Sequence, residues 1–209
     1  MIKLLVTRVL PEPIWEDYSL DNFEVIEHDF VDITKAKPLE YPAHRNVLVS
    51  SQNAVGTFDL KQKRVFCVGT RTQSALEERG FSVHQRFSSA SDMANEVTKL
   101  GEPATFICGS KRLPIVEEVF RDKQLKLQVL VVYKTTRTPR KFSEKWDAIL
   151  FFSPSGVHSF HEQNKQAPLA ICIGETTAEC AQTYGHPTVL SKNQTKKSVV
   201  QAAVDHFQS

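Results

Sequence analysis

CVGTRTQSALEERG, residues 67–80, returns 105 residues further on as CIGETTAECAQTYG, residues 172–185. Each copy begins at the end of an apolar run, turns through a glycine with threonine one or two residues on, and continues with helical spacing to a second glycine. That order specifies a short buried strand and then a helix closed by a left-handed glycine cap, at Gly80 and Gly185. A second pair says the same. LVSSQNAVGTF, residues 48–58, matches LFFSPSGVHSF, residues 150–160, at a separation of 102. The register is nearly kept, so the chain contains two related halves.

Outward from these repeats, short apolar runs at 3–7, 46–50, 64–68, 104–108, 128–132, 148–152, 169–173 and 188–190 read as strands. Most lack clean alternation, as strands covered on both faces do. Helical stretches fall between them at 70–79 and 175–184, and at 197–207 with Val199, Val200, Ala203, Val204 and Phe207 on one face. Strands alternating with helices specify an α/β fold with parallel sheets. Two polar, proline-containing segments without helical period break the rhythm, ITKAKPLEY at 33–41 and YKTTRTPR at 133–140. A domain inserted into another needs two such crossings. The expectation is a middle lobe of residues 38–133 inserted into a discontinuous terminal lobe of residues 1–34 and 138–209, with an active-site cleft between them.

Composition narrows the class. The 209 residues are 41% hydrophobic and 24% charged, too apolar for disorder and too charged for a membrane protein. A net charge of +2 does not point to nucleic acid. No run of 18 apolar residues exists to span a bilayer, and the start MIKLLVTRVLPEP lacks a small-residue cleavage site. Cys67, Cys108, Cys172 and Cys180 show no C-x-x-C spacing, and three of them sit in apolar runs as small hydrophobes. A reduced, cytoplasmic protein is expected.

The chemistry lies in the turns that follow the strands: TR at Thr7, SSQN at Ser50, GTRT at Gly69, GSK at Gly109, SPSG at Ser153 and GETT at Gly174. A helix N-terminus offers unpaired N–H groups and partial positive charge, glycine admits a ligand to the backbone, and hydroxyls add neutral donors. In an open α/β sheet such turns lie at the carboxyl ends of the strands, where ligands bind. Ordinary N-capping explains one turn alone, whereas six together suit a ligand bearing many carboxylates. There is no G-x-x-x-x-G-K-[ST] and no G-x-G-x-x-G, so nucleotide sites of those types are absent. His158 and His161 stand at i,i+3 without a third ligand of suitable spacing, so a surface or core role is expected and no metal.

FFSPSGV (151–157), IGETTA (173–178), VGTRTQSAL (68–76), CGSKR (108–112), VYKT (132–135), KLLVTR (3–8) and SSQNAV (50–55) together resemble the uroporphyrinogen-III synthase family. The resemblance implies two flavodoxin-like lobes, each a doubly wound parallel sheet, joined by a two-stranded linker. It implies closure of linear hydroxymethylbilane, an octacarboxylate, to uroporphyrinogen III, with loss of water and inversion of ring D. No metal or organic cofactor is implied. The partner is that small molecule, with transient contact to the upstream deaminase, and the protein is a monomer. Carried over by motif, Tyr133 assists departure of the hydroxyl, since a phenol donates a hydrogen bond while neutral at pH 7. Ser51, Thr72, Ser110, Ser153, Thr176 and Thr177 match cleft hydroxyls. Gly69, Gly109, Ser155 and Gly156 match backbone donors, and Arg8 and Lys111 stand where they could pair with outlying carboxylates. Two departures stand out: the segment after Arg8 carries Pro11 and Pro13 and is shorter than the usual helix there, and SSQN replaces a more common TSP-like turn. The rival reading is a non-catalytic two-lobed binder of a tetrapyrrole or other polycarboxylate.

Overall fold

The computed structural model describes residues 1–208; Ser209, the last residue of the expected terminal lobe, lies outside the described residues. In chain order the elements are β1 (Ile2–Val6), β2 (Phe23–Glu27), β3 (Val31–Lys35), β4 (Asn46–Val49), β5 (Arg64–Val68) and α1 (Thr70–Glu77). There follow β6 (Val83–Phe87), α2 (Ala90–Thr98), β7 (Ala104–Gly109), α3 (Ile115–Asp122), β8 (Leu127–Arg137) and β9 (Ala148–Phe151). The chain ends with α4 (Pro154–His161), β10 (Leu169–Cys172), α5 (Glu175–Gln182), β11 (Thr188–Leu190) and α6 (Lys196–Gln208). This is a mixed α/β fold with parallel sheets and, among the described residues, six α-helices.

One sheet runs β11-β10-β9-β1-β2, parallel throughout. The other runs β3-β8-β7-β4-β5-β6 and is parallel from β8 to β6. The chain divides into two compact units, Met1–Asp32 with Thr136–Ser209 as the first and Ile33–Thr135 as the second. The repeated sequences equate β9 with β4 and β10 with β5. Laid over each other on those pairs, the spatial orders β2-β1-β9-β10-β11 and β8-β7-β4-β5-β6 coincide strand for strand. The two units therefore share one five-strand arrangement, and the chain enters the second at a different strand, as a circular permutation would.

The segments expected to be irregular crossings are partly strand. β3 runs on to Lys35 and β8 to Arg137, the two strands are neighbours, and Ala36 N–H donates to the Val132 carbonyl at 2.9 Å. A ladder uses backbone groups only, so the polar side chains at the end of β8, where Lys134, Thr136 and Arg137 are exposed, do not oppose it. β2, β3 and β6, which the apolar runs do not reveal, all lie at sheet edges.

Each sheet is covered on both faces. Val47 and Val49 of β4 enter one apolar cluster with Leu76 of α1, while Leu48 enters another with Val97 of α2 and Phe120 of α3. In β9, Ala148 and Leu150 pack with Val199 and Val200 of α6, and Ile149 and Phe151 pack with Val157, Phe160 and Ala178. Gly80 and Gly185 adopt φ of +77° and +85° and complete the expected helix ends. Phe81 N–H reaches back to Leu76 O at 3.0 Å and Gly80 N–H to Glu77 O at 2.8 Å, with the same pair repeated from His186 and Gly185.

Candidate functional site

At the carboxyl ends of the first unit's strands the polar groups satisfy one another. The Thr7 hydroxyl, 4% exposed, donates to Leu150 O at 2.7 Å. Ser153 caps α4, its Oγ accepting from Gly156 N–H at 3.2 Å and keeping its own proton to donate. Ser155 is half-buried and Gly156 buried on the first turn of that helix. Gly174 precedes α5, on whose first turn Thr176 is exposed and Thr177 is 2% exposed. The short proline-bearing segment after Arg8 forms a single 3-10 turn, Glu12–Ile14, and two carboxylates pin it. Glu27 Oε1 accepts from Leu10 N–H at 3.2 Å and Trp15 Nε1–H at 3.1 Å, and Asp29 Oδ1 from Val9 N–H at 3.0 Å.

Arg8 is half-buried and acts on Lys196 at the start of α6. Burial first, and Arg8 next, hold the Lys196 ammonium below its ordinary range, against the opposing pull of Asp29 and Glu27. Two cations thus share one carboxylate-flanked place at the strand ends. Sequence reading finds Arg8 and misses Lys196, which lies in the run KNQTKK and carries no motif.

The second unit differs at the equivalent place. Ser51 caps a 3-10 turn, Gln52–Ala54, through Asn53 N–H at 3.2 Å. Gly69 takes φ of +78° before α1, and a Cβ there would meet nothing within 4 Å, so this backbone stands open. Thr72 is 4% exposed on the first turn of α1. At Gly109 the space is filled from within: a Cβ would run into Tyr133 Cζ and lie 2.7 Å from its hydroxyl. Glycine is needed here for the tyrosine ring to lie against the backbone, not for a ligand to approach, as the sequence leads one to expect.

The ladder between β7 and β8 explains how Tyr133 comes to be there. Cys108 pairs with Val131 and Gly109 with Tyr133, so Val132 is an extra residue. Successive strand residues ordinarily face opposite sides, but Val132 and Tyr133 both enter the same apolar cluster. Such a bulge re-aims a side chain. Tyr133 is 8% exposed, and its hydroxyl has no hydrogen-bond partner among the described residues. Ser110 ties the two strand ends together, its N–H donating to Tyr133 O at 2.9 Å and its Oγ accepting from Thr135 N–H at 3.4 Å. Lys111 is exposed beside it. Arg112, the last residue of CGSKR and not among the expected site residues, donates to Gly109 O at 3.2 Å and to Glu117 Oε1 at 2.8 Å, tying this corner to α3.

The remaining candidates are structural. Burial pushes the Cys67 and Cys108 thiols up to about 11 and Cys172 to about 12, so none offers a thiolate near neutral pH. His158 Nδ1 lies 2.9 Å from the Tyr184 hydroxyl, and His161 stacks on the Tyr184 ring with centroids 4.0 Å apart. His161 Nε2 faces His186 Nε2 at 2.8 Å. No three such groups among the described residues converge as a metal cage would require.

Residues 25–201 match the family described as HEM4, uroporphyrinogen-III synthase HemD. The chain belongs to that family. Membership in the uroporphyrinogen-III synthases makes it a lyase of porphyrin biosynthesis. The match begins within β2, so Arg8 and the Thr7 turn lie outside it, whereas the bulged corner of Gly109 and Tyr133 lies within. Among solved structures, uroporphyrinogen-III synthetase of Helicobacter pylori 26695 is similar at 16% identity and TM-score 0.68, over 99% of this chain and 100% of that one. A mutant synthase of Thermus thermophilus is similar at 16% identity and TM-score 0.72, over 100% and 99% of the two chains. The wild-type Thermus protein in a second crystal form gives 16% and 0.59, over 100% and 98%. No curated protein matches the sequence. Among the described residues no helix is long and apolar enough to cross a membrane.

Proposed function

We propose that this chain closes hydroxymethylbilane to uroporphyrinogen III with loss of water and inversion of ring D, and that Tyr133 is the group that assists departure of the hydroxyl. The observation that carries the role is the unpartnered Tyr133 phenol, turned by the Val132 bulge in β8 beside the carboxyl end of β7. A protein that spends a bulge and a glycine to place a phenol, and gives that phenol no internal partner, leaves one hydrogen-bond donor for a substrate oxygen. As water leaves, the azafulvene end that remains closes on ring D. Closure at the free carbon gives the symmetric isomer without any enzyme. The protein must hold the chain folded so that the substituted carbon is attacked first, through a spiro intermediate. Orientation and exclusion of water supply this, rather than a strong acid or base.

In this reading the eight carboxylates take neutral donors from both units: Ser153, Ser155, Gly156, Thr176 and Thr177 from the first, Ser51, Gly69, Thr72 and Ser110 from the second. Arg8 with Lys196, and Lys111, take outlying carboxylates. Gly109 contributes by admitting the Tyr133 ring. The reading treats residues 1–34 with 138–209, and 38–133, as two flavodoxin-like lobes joined by β3 and β8, and the strand order of each sheet supports it. It treats the enzyme as a cytoplasmic monomer that needs no cofactor and meets the upstream deaminase transiently.

The test is the isomer ratio of the oxidised product when hydroxymethylbilane, generated in situ, meets the protein. Predominantly type III uroporphyrin is expected. Unchanged type I, with the protein folded by circular dichroism, refutes the assignment and leaves a binder of tetrapyrroles.

A further inference from the structure

The amino ends of β4, β5 and β6 lie at the edge of the second sheet opposite the strand-to-helix turns, and a cavity of about 610 Å³ opens there. Arg45, Lys61, Lys63, Arg64 and His84 line it, with Ser82 as a neutral donor. None of these residues belongs to the proposed ring-closing machinery.

The internal partners of these cations leave charge over. Lys63 Nζ donates to the carbonyl oxygens of Pro42 at 2.8 Å and His44 at 3.0 Å, which ties down the loop before β4 and leaves a third N–H. Arg64 comes no closer than 3.6 Å to Glu102 Oε2, and that oxygen already accepts from Asn46 Nδ2 at 2.9 Å. One long contact to a shared oxygen leaves most of the guanidinium fork unused. Arg45 and Lys61 have no acidic partner among the described residues. His84 meets the edge of Phe66 with ring centroids 5.2 Å apart. On a chain of net charge +2, four cations line one cavity against two nearby carboxylates, Glu102 at 3.6 Å from Arg64 and Asp59 on the Lys61 backbone N–H at 3.1 Å, so positive charge there exceeds the molecular average.

We propose that this cavity is a second site, for a multiply charged oxyanion. Two arginines supply planar forks for paired oxygens, the lysines supply point charge, and Ser82 supplies a neutral donor. The volume falls within the range of small-ligand pockets, roughly 300–1,000 Å³. A phosphate ester and a polycarboxylate are the two sources of such chemistry. The site stands at the amino ends of the strands, so it does not depend on the ring-closing assignment.

Isothermal titration of the full chain with pyrophosphate and with citrate, at matched ionic strength, tests it. Saturable one-to-one binding is expected, and whichever anion saturates at the lower concentration identifies the source. The R45A/K61A variant changes two exposed side chains, keeps its melting temperature and its isomer ratio, and weakens binding about tenfold or more. The single variant K61A, less disturbing still, weakens it by a smaller factor. Absence of saturable binding to either anion overturns the proposal, as does equal affinity in the native chain and R45A/K61A.

Discussion

β1 and β7 occupy the same place in their two sheets, and they end differently. After β1, the Thr7 hydroxyl is consumed by Leu150 O and the following loop is pinned by Glu27 and Asp29. After β7, Gly109 makes room for an aromatic ring whose hydroxyl is paired with nothing among the described residues. One architecture thus carries a self-satisfied corner in one unit and an open one in the other. Hydrogen bonds that are satisfied inside contribute to stability, whereas a half-buried donor left unpaired is tolerated where a ligand completes it. The corner after β1 is closed on itself, and the corner after β7 leaves the phenol that the proposed function assigns to the departing hydroxyl.

The sharpest way to break this contrast is to add one methyl group to each corner. Gly109→Ala puts a Cβ into the Tyr133 ring, so either the ring or the bulge must move. Overpacking of this kind costs about 1–3 kcal/mol of stability, and displacement of the phenol lowers turnover further. Gly156→Ala meets its nearest neighbour, Thr7 Oγ1, at 3.5 Å, an ordinary contact inside a helix. There alanine replaces glycine in α4 and stability rises by up to about 1 kcal/mol. Urea titration of both variants reads the difference, and equal losses at the two glycines would end the comparison.

Tyr133→Phe comes next. It removes one hydrogen bond from the transition state, about 1–3 kcal/mol, or roughly 5- to 150-fold in rate. Because the hydroxyl has no partner among the described residues, unfolding free energy should stay within about 0.5 kcal/mol of the native value. Loss of stability with full turnover would make Tyr133 a packing residue.

The third test turns on acid. His161 Nδ1 lies 3.1 Å from Asn164 O and His186 Nδ1 2.6 Å from Pro168 O, so each Nδ1 carries its proton. The two Nε2 atoms, 2.8 Å apart, have room for one proton between them and not for two. Burial first, and His186 next, press His161 down to about 4, and burial presses His186 down as well. A histidine depressed in the folded state binds its proton more readily when unfolded. Its contribution is therefore complete above pH 6.5 and is lost as pH falls from there towards 4. For the half-buried His161 beside the buried His186, about 1–2 kcal/mol is expected. Thermal melts across that range should show the loss, and His161→Phe, which keeps a ring against Tyr184, should flatten it.

What the sequence discloses follows burial. β4, β5, β7, β9 and β10 lie inside their sheets, are covered on both faces and stand out as apolar runs. β2, β3 and β6 are edges, and β6 reads VHQRF because three of its five side chains face solvent. The repeat was legible only where strands of both copies run in the same chain order. β1 and β7 are related in space but come first in one unit and late in the other, so no alignment along the chain pairs them. At the site, hydroxyls and glycines are visible as motifs. The Val132 bulge is not, because it depends on which residue of β8 opposes Gly109, and neither is Lys196, which only tertiary packing brings beside Arg8.

The smallest effect separates capping from binding in the two serines that the repeat equates. Ser153 caps an eight-residue helix and Ser51 a 3-10 turn of three residues, each through one Oγ···H–N contact of 3.2 Å. Alanine at an α-helix N-cap costs about 1 kcal/mol, so Ser153→Ala should lower stability by that amount. The turn after Ser51 has little helix to lose, and Ser51→Ala should cost only a few tenths of a kcal/mol. If both hydroxyls also hold substrate, the two variants should raise KM by similar factors despite this difference in stability. Were KM to follow stability instead, rising for Ser153→Ala alone, the serine of the second unit would be a turn-former and the donor set would fall short by one.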